Sequence, residues 1–378
     1  MAHKIIFYPV GNGDTSQIIL ENGKRILMDY RHQKKTEDGT CPEINLKARI
    51  KQELKDSGRD YFDVVAFTHG DRDHIDNSTE FFELLHADKY QGEGRIKINT
   101  LWVPAAMILE TATNDDQSDE FVIWRQEARY RLKEGRGIRV FSKPEKLKGW
   151  LNENDLTLES RRDLITDAGK LAPDFDIAVD GVEFFCHSPF IKHFDEGDDL
   201  RNDASLIFNI RFQKNGKDYD YLAVGDSTWS VLEDIVNATK AHQNMDRLAW
   251  NIYNIPHHCS YLALSDDKGE FETIPMQGAE EILLSGKEGA YIISSSHPIN
   301  DTKDGREQTQ PPHTQAKRCY ETYRKKTEGA KFLVTMEEPN ANKPEPLEFK
   351  IDNMGLSLSR AAVTAASIIT SKPAPRAG

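Results

Sequence analysis

Four side chains with metal-binding chemistry lie within six residues of one another. The segment 68–76 reads THGDRDHID and spaces two histidines and two aspartates as HxDxDH: His69, Asp71, Asp73 and His74. Imidazole and carboxylate are the ligands that zinc, manganese and iron favour in proteins. One tight loop can serve two metal ions about 3.5–4 Å apart. The motif therefore predicts a metal centre, with a solvated polar loop as the alternative.

The strands that must position this motif can be recognised in the sequence. Residues 62–70, FDVVAFTHG, form a short continuous apolar run, which is typical of a strand buried on both faces. Three further apolar runs end in histidine- or aspartate-bearing loops, at Gly225-Asp226, Pro256-His257 and Ser296-His297. Because sites in layered α/β folds form where strands end, we expect these loops to meet the motif.

Asp226 and the pair His257-His258 are the candidates that complete the centre. Asp226 ends the strand DYLAVGD; alone it indicates an ordinary Gly-Asp turn, but beside the motif it can bridge two metals. Adjacent histidines point to different sides, so at most one of the pair binds the same metal directly. The other can act as a proton donor. His297 and His313 are later candidates for the site. The alternative is that they support the ligands from behind or lie on the surface.

Composition limits the class of protein. The 378 residues carry 49 Lys+Arg against 62 Asp+Glu, a formal net charge of −13, which argues against binding nucleic acid through a general basic excess. Hydrophobic residues make up 38% of the chain, so wholesale disorder is excluded. No apolar run approaches about 20 residues, and the start, MAHKIIFYPV, lacks the apolar core of a secretion signal. We therefore expect a cytoplasmic protein without a membrane span.

The sequence divides into a β-rich core and a charged segment. Strand patterns fill residues 1–107 and 173–355, which we expect to form one core. Residues 108–172 are charged and helical in pattern, with pieces such as EFVIWRQEARYRLKEG, and predict a helical insertion on that core. Residues 356–378 are small and weakly patterned, so we expect a mobile C-terminal tail.

The motif and its flanking landmarks resemble the metallo-β-lactamase superfamily, whose usual signature is HxHxDH. The variant HxDxDH is similar to the hydrolase domain of bacterial DNA-uptake competence channel proteins and their free-standing soluble relatives. Other landmarks follow in order: VGNGDTSQIIL, ILMDY with Asp29, RNDASLIFNI, AVGDS, IPHHCS and QPPHTQAKRCYETY. The resemblance covers roughly residues 4–335, interrupted by 108–172.

This resemblance implies a four-layer αβ/βα metallo-β-lactamase sandwich with a site for two divalent metal ions, Zn²⁺ or Mn²⁺. The implied metal ligands are His69, Asp71, Asp73, His74, Asp226 and His257. Asp226 would bridge the two ions, and His258 is the alternative to His257. Where superfamily members often carry a further histidine, this chain has Asn202-Asp203, and Cys259 stands where the relatives have glycine. Cys259 either packs in the core or touches metal.

The implied activity is metal-dependent hydrolysis by a hydroxide that bridges the two ions. The predicted catalytic residues are Asp73, His258 and His313, with the histidines as proton donors to the leaving oxygen. Asp71 in place of the usual histidine hardens the site and favours Mn²⁺ or Mg²⁺. A site that prefers Mn²⁺ or Mg²⁺ favours a phosphodiesterase or nuclease over a β-lactamase. The expected partner is a phosphoester substrate, with DNA or RNA among the candidates.

Two alternatives stay open. The first keeps the fold but takes a small substrate, such as a nucleotide or another phosphoester or thioester, which the acidic charge favours. The second is a non-catalytic subunit of a multiprotein complex, for instance a bacterial defence complex, that docks a protein partner through residues 108–172. A nucleic-acid substrate requires a local basic face, for which that segment offers Arg125, Arg129, Arg131, Lys133 and Arg136 at helical spacing, balanced by Glu127 and Glu134.

Overall fold

A computed structural model describes residues 2–110, 118–189 and 205–359 of the chain. Its strands are β1 (His3–Phe7), β2 (Ser16–Ile19), β3 (Arg25–Met28), β4 (Tyr61–Ala66), β5 (Lys97–Pro104), β6 (Ile138–Phe141), β7 (Ile165–Thr166), β8 (Val182–Ser188), β9 (Ile207–Lys214), β10 (Lys217–Ala223), β11 (Trp250–Asn254), β12 (Gly286–Ser294), β13 (Lys331–Val334), β14 (Leu347–Asp352) and β15 (Gly355–Ser359).

Helices connect these strands and cover them. They are α1 (Leu46–Asp56), α2 (Arg72–Ile75), α3 (Ser78–Phe81), α4 (Ala106–Leu109), α5 (Asp119–Glu134), α6 (Lys148–Glu153), α7 (Ile177–Asp180), α8 (Trp229–Ala241), α9 (Gln277–Leu284), α10 (Lys303–Glu307) and α11 (Thr314–Lys326). Within the three described ranges, none of the helices has the length and apolar character needed to cross a membrane.

The strands form two sheets. One has nine strands in the order β15-β14-β1-β2-β3-β4-β5-β6-β7, and the other has six in the order β13-β12-β11-β10-β9-β8. The strands from β3 to β7 run parallel to one another, as do those from β10 to β13. Because the carboxyl ends of parallel strands lie at one edge of a sheet, the loops after β3, β4, β10 and β11 are in position to build a site.

Apolar side chains pack between the sheets and on both outer faces. The core between the sheets includes Phe7, Trp102, Phe184 and Phe208, with the Trp102 ring 5.1 Å from Phe184 and 5.7 Å from Phe208 between centroids. A second cluster packs α1 and α5 against the nine-stranded sheet, and a third packs α8, α9 and α11 against the six-stranded sheet. The predicted four-layer αβ/βα sandwich is confirmed.

Residues 108–172 differ from the predicted helical insertion. β6 and β7 extend the nine-stranded sheet beyond β5, and every residue of β6 is buried. α5 buries Phe121 and Trp124, but its inner face also carries the buried ion pair of Glu127 and Arg131. These buried charges obscure the apolar stripe of α5 in the sequence. The segment therefore looks like a charged addition although it supplies part of the core.

The C-terminal end of the core lies later than predicted. β15 pairs antiparallel with β14, with Gly355 opposite Asp352, so the sheet continues to Ser359 instead of ending at residue 355. Gly355 adopts a positive φ of 105° directly after the two-residue turn, a conformation that glycine reaches without steric cost. The predicted mobile tail, 356–378, thus begins inside a strand, and residues 360–378 lie outside the described residues.

Gly70, in the middle of the HxDxDH motif, makes a close contact with α5. A Cβ atom at Gly70 would lie 2.1 Å from Cδ2 of the buried Phe121 ring. We therefore expect Gly70→Ala to lower the free energy of unfolding by about 1–3 kcal/mol through overpacking, as measured by urea denaturation. The same change in a Phe121→Leu background, which lacks the ring, should cost less. An equal cost in both backgrounds would contradict the contact.

His187 on β8 makes stability depend on pH. The side chain is buried, Nε2 lies 3.0 Å from the carbonyl oxygen of Arg247, and burial lowers the pKa of His187 to about 4. Below a pH of about 6.5 the unfolded chain takes up a proton that the folded chain still resists. Stability therefore falls as the pH drops through this window, by about 3 kcal/mol in total.

His187→Gln should remove this contribution from the pH dependence of urea unfolding between about pH 6.5 and pH 4. His242, an exposed histidine at the end of α8, provides the control, and His242→Gln should leave the dependence as in the wild type. A His187→Gln curve that runs parallel to the wild-type curve would show that this imidazole does not resist protonation.

Candidate metal centre

The centre forms where loops from the two sheets meet. In the nine-stranded sheet, Asp29 follows β3, and the HxDxDH loop follows β4 and continues into α2. In the six-stranded sheet, Asp226 follows β10 and His258 follows β11. The sheets touch at this edge, because the Leu206 N–H donates to the carbonyl oxygen of Thr68 at 2.9 Å. The strand ends therefore bring the candidate ligands together as the sequence predicts.

One group of potential ligands consists of His69, Asp73, His74 and Asp226, whose ligand atoms all lie within 4.8 Å of one another. Nε2 of His74 is 3.2 Å from Oδ1 of Asp226, and Nε2 of His69 is 4.0 Å from Oδ2 of Asp226. Asp73 is partly exposed, while the other three are buried. Two imidazoles and two carboxylates thus point into one small volume, a donor set that suits a divalent transition metal.

Asp29 orients the imidazole of His74. Its Oδ2 accepts the Nδ1–H of His74 at 2.8 Å, and the carboxylate also accepts the Thr68 N–H at 2.7 Å and the Thr68 Oγ1–H at 2.6 Å. With the proton held on Nδ1, the lone pair of Nε2 faces Asp226. A carboxylate behind a histidine is the usual arrangement at metal sites, since it fixes the tautomer and raises the basicity of the ligand.

A second group consists of Asp14, Asp226 and His258. His258 donates from Nδ1 to the carbonyl oxygen of Ser295 at 2.9 Å, so its Nε2 lone pair faces the carboxylates. Nε2 lies 3.1 Å from Oδ2 of Asp73 and 3.5 Å from Oδ2 of Asp226. Asp226 belongs to both groups of potential ligands.

Several buried polar atoms of the centre have no hydrogen-bond partner. They are Nε2 of His69, Nε2 of His74 and Oδ1 of Asp226. A buried polar atom without a partner costs free energy, and native structures rarely leave one unpaired without a reason. The three atoms face one another, and all of them can donate a lone pair. The residues therefore fit a divalent cation, which would satisfy all three at once.

The charges in the centre shift the pKa values of its residues. Burial favours the neutral form of Asp226, but His258 and His74 outweigh burial and hold the pKa of Asp226 well below its usual range. Burial lowers the pKa of His258, yet Asp226 and Asp73 raise it to about 9. Burial is the largest effect on Asp14 and raises its pKa. In the protein alone, protonated imidazole thus balances the carboxylates, a role that a bound cation takes over.

The geometry separates the two adjacent histidines. His258 enters the cluster, whereas the side chain of His257 is 26% exposed and its Nε2 lies 3.9 Å from Oδ2 of Asp226. His257, His258 and Cys259 have φ values of 48°, 52° and 67°, a left-handed run that is unusual outside glycine. This backbone turns His258 inward and His257 toward solvent. His258, which the sequence offered as the alternative to His257, is thus the member of the pair that lies in a group of potential ligands.

Asp71 and His313 lie differently from their predicted places. Asp71 is at the edge of the cluster, with Oδ2 3.7 Å from Nε2 of His69. The imidazole of His313 is engaged at both nitrogens, since Nδ1 accepts the Tyr261 N–H at 3.3 Å and Nε2 lies 3.2 Å from the carbonyl oxygen of Thr309. His313 therefore supports the loop after β11 and is not free to protonate a leaving group, which corrects its predicted catalytic role.

Two departures from the superfamily pattern remain, Cys259 and the segment Asn202-Asp203, and the structure describes the first of them. Cys259 is buried in the outer core of the six-stranded sheet, and its Sγ lies 3.9 Å from the carbonyl oxygen of His313. Packing, and not metal contact, is therefore the role that the structure supports for this thiol. The segment Asn202-Asp203 lies outside the described residues.

Asp14 is the site residue that sequence reasoning missed. It is buried in the loop between β1 and β2, and its Oδ1 accepts the Nδ2–H of Asn254 at 3.2 Å. The signal was the turn GNGD, which the sequence analysis used only as a landmark. The contact joins residues 240 positions apart, so the chain order alone could not place this carboxylate beside His258.

No protein-family model and no curated protein sequence matches the chain. Among solved structures, a diphosphatase from the PhnP family is similar, with 12% identity, a TM-score of 0.32 and coverage of 93% of this chain and 99% of that one. Zn²⁺-bound PqqB from Methylobacterium extorquens has 10% identity, a TM-score of 0.32 and coverage of 91% and 99%. The class B3 di-zinc metallo-β-lactamase LRA-12 from an Alaskan soil metagenome has 11% identity, a TM-score of 0.29 and coverage of 68% of this chain and 79% of that one.

These structural neighbours include members of the metallo-β-lactamase superfamily. At such low identities and TM-scores, the assignment of the fold stands on the chain's own two sheets and four layers. The resemblance to the hydrolase domain of competence channel proteins stays a prediction.

Proposed function

We propose that the chain is a metal-dependent hydrolase that cleaves phosphodiesters. The observation that carries this proposal is the position of Asp226, a buried carboxylate shared by two groups of potential ligands, one of which has three buried polar atoms without a hydrogen-bond partner. Such an arrangement supports two adjacent divalent ions. When bound, these ions would make a water molecule acidic enough to ionise near neutral pH and would neutralise the charge of a phosphate.

The chain's own residues hold the site in one protonation pattern. Asp29 accepts a hydrogen bond from Nδ1 of His74, and the Ser295 carbonyl accepts one from Nδ1 of His258, so on both rings Nε2 is the nitrogen that would bind a cation and give up its proton to do so. His257 is placed to deliver a proton to a leaving oxygen, since its side chain meets solvent and, among the described residues, the acidic group near its Nε2 is the Asp226 carboxylate at 3.9 Å. We therefore assign the proton donor to His257 in place of His313.

The chemistry of the donors favours phosphate esters. Carboxylates are hard ligands, which suit Mn²⁺ or Mg²⁺ better than an all-histidine site does. Asp14 adds a further carboxylate to those that the sequence predicted, and it shares a group of potential ligands with Asp226. Hard cations bind phosphoryl oxygen well, so these ligands support phosphodiester hydrolysis over cleavage of a β-lactam.

A small phosphodiester is favoured over a nucleic-acid strand by the orientation of the basic residues on α5. Arg131 is buried and pairs with Glu127 at 2.6 Å. Arg125 and Arg129 each donate to a backbone carbonyl oxygen 2.8 Å away. These three side chains are thus committed within the protein, and the exposed members of the predicted basic face are Lys133 and Arg136.

Metal content and hydrolysis test the proposed function together. The purified full chain, supplied with Mn²⁺ or Zn²⁺, should retain metal after desalting and should hydrolyse bis-p-nitrophenyl phosphate. Single- and double-stranded DNA should be cleaved more slowly than the small ester. The double variant Asp73→Ala, His74→Ala should lose metal and turnover while keeping the circular dichroism of a folded chain.

Each result that departs from these expectations supports a different function. Full activity in the double variant would show that the site is wrongly assigned. A wild-type chain that retains no metal and hydrolyses no ester would overturn the proposal and favour the non-catalytic subunit of a larger complex. Faster cleavage of DNA than of the small ester would identify a nuclease.

A further inference from the structure

The loop between β1 and β2 runs along the rim of the candidate metal centre. It supplies Asp14 to the cluster, and Oδ1 of Asn12 accepts the backbone N–H of His297 at 2.9 Å, while Nδ2 of Asn12 donates to the carbonyl oxygen of Pro311 at 2.8 Å. These bonds tie the loop to the six-stranded half of the molecule. The rim beside the centre is therefore a fixed surface built from both halves.

Arg31 lies against this loop and against the HxDxDH motif. A Cβ atom at Gly13 would sit 2.1 Å from Cδ of Arg31 and 2.6 Å from the carbonyl oxygen of Asp73. Since both atoms are close to the same point, the Arg31 side chain passes directly beside the backbone of Asp73. Glycine at position 13, with a φ of 153°, is what allows this close approach.

One side of the Arg31 guanidinium is fixed by the protein. Nη1 donates to the carbonyl oxygens of Val10 and Asn12. A Cβ atom at Gly11 would lie 3.3 Å from Nη1 and 3.1 Å from Nε2 of His297, so the guanidinium and this imidazole line the same stretch of the rim. The side chain thus keeps one orientation without help from a ligand.

The other side of the guanidinium has no partner in the described part of the chain. Nε and Nη2 make no hydrogen bond there, and Arg31 has no carboxylate within 4.0 Å in residues 2–110, 118–189 and 205–359. Neighbouring lysines differ, since Lys34 pairs with Glu80 at 2.6 Å and Lys35 with Glu43 at 2.8 Å. Arg31 is therefore a positioned cation that makes no direct ion pair among the described residues, although the carboxylates of Asp73, Asp76 and Glu43 are near enough to act on its charge.

We propose, on the basis of the phosphodiesterase function above, that Arg31 binds the non-bridging oxygens of the substrate's phosphoryl group through Nε and Nη2. This edge presents two parallel N–H groups, which match two oxygens of a phosphate. The fixed Nη1 means that little side-chain freedom is lost on binding. Arg31 is a substrate-binding residue that selects a tetrahedral oxyanion and turns it toward Asp73 and the centre.

Binding of inorganic phosphate tests this role without relying on turnover. Isothermal titration calorimetry of the Mn²⁺-loaded full chain should give a phosphate dissociation constant that rises roughly tenfold or more in Arg31→Gln, the size expected for charge-assisted hydrogen bonds. Arg31→Lys keeps the charge but not the two parallel donors, so it should recover only part of the affinity. Metal content should equal that of the wild type in both variants.

Lys34→Gln is the matched control. It removes one positive charge three residues away, from a side chain that is 60% exposed and paired with Glu80, and it should leave phosphate affinity unchanged. If Arg31→Gln fails to fold, Arg31→Lys carries the test. Wild-type affinity for phosphate in Arg31→Lys would overturn the role of the two parallel donors, Nε and Nη2.

The outcomes separate this role from the proposed function. Normal metal content with unchanged phosphate affinity in Arg31→Gln overturns the role of Arg31 and leaves the metal centre in place. Equal losses of affinity in Lys34→Gln and Arg31→Gln would mean a general charge effect and would also overturn it. A wild-type chain that takes up no metal overturns both the proposed function and the role of Arg31.

Discussion

Asp226→Asn is expected to abolish metal binding and hydrolysis together. Asp226 is shared by both groups of potential ligands found among the described residues, so its loss affects both cation positions. Altering a residue behind a ligand already costs about 10–100-fold in metal affinity. For the shared carboxylate itself we therefore expect a loss of more than about 100-fold. Metal content by mass spectrometry and turnover of bis-p-nitrophenyl phosphate measure the two effects.

Asp220→Asn is the matched control for a buried aspartate on the same strand. Asp220 pairs with Arg211 at 2.8 Å and with Lys287 at 2.7 Å, and its carboxylate is fully buried. Removing this charge leaves two cations without their partner, so thermal stability should fall, but metal content should stay at the wild-type level. An Asp226→Asn protein that keeps its metal and turnover would show that Asp226 does not bridge the centre.

The second large effect is expected from Asp29→Asn. The amide is nearly the same size, and an asparagine tolerates the φ of 56° at this position. Its NH₂ group can donate to Nδ1 of His74, which would move the imidazole proton to Nε2 and block that atom as a ligand. We expect a loss of about 10–100-fold in metal affinity, measured by competition with a chelating dye.

A spectrum distinguishes this positioning role from a loss of structure. With Co²⁺ as the probe, Asp29→Asn should change the visible absorption bands because one nitrogen ligand is lost, while the circular dichroism of the metal-free chain stays that of a folded protein. Asp76→Asn, directly after α2 and paired with Arg72 at 3.6 Å, should leave the spectrum as in the wild type. An unchanged spectrum and affinity in Asp29→Asn would contradict the tautomer role.

Much of the site could be predicted because its chemistry is local in the sequence. His69, Asp73 and His74 share one loop, and Asp226 directly follows an apolar strand. Within each sheet, the rule that parallel strands end at one edge brings the loops together. The meeting of the two edges and the four-layer architecture followed from the resemblance to the metallo-β-lactamase superfamily, because strand and helix patterns alone do not fix how two sheets pack.

The remainder depends on geometry that no pattern in the sequence encodes. The choice of His258 over His257 follows from three successive positive φ angles, and nothing in the letters HHC indicates that backbone. Asp14 reaches the centre only when the β1–β2 loop folds over the other sheet. His313 resembled a proton donor because its type fits the chemistry, but both its nitrogens are occupied by backbone groups.

The division of the ligands between the two sheets has a consequence for stability. His69 and His74 come from the nine-stranded sheet, and Asp226 and His258 come from the six-stranded sheet. A cation held among them would act as a cross-link at one end of the sandwich, and its binding free energy would add to the cohesion of the sheets. At a free metal concentration of about 100 times the dissociation constant, this linkage amounts to about 2.7 kcal/mol. Metal supply would thereby set the lifetime of the folded chain as well as its activity.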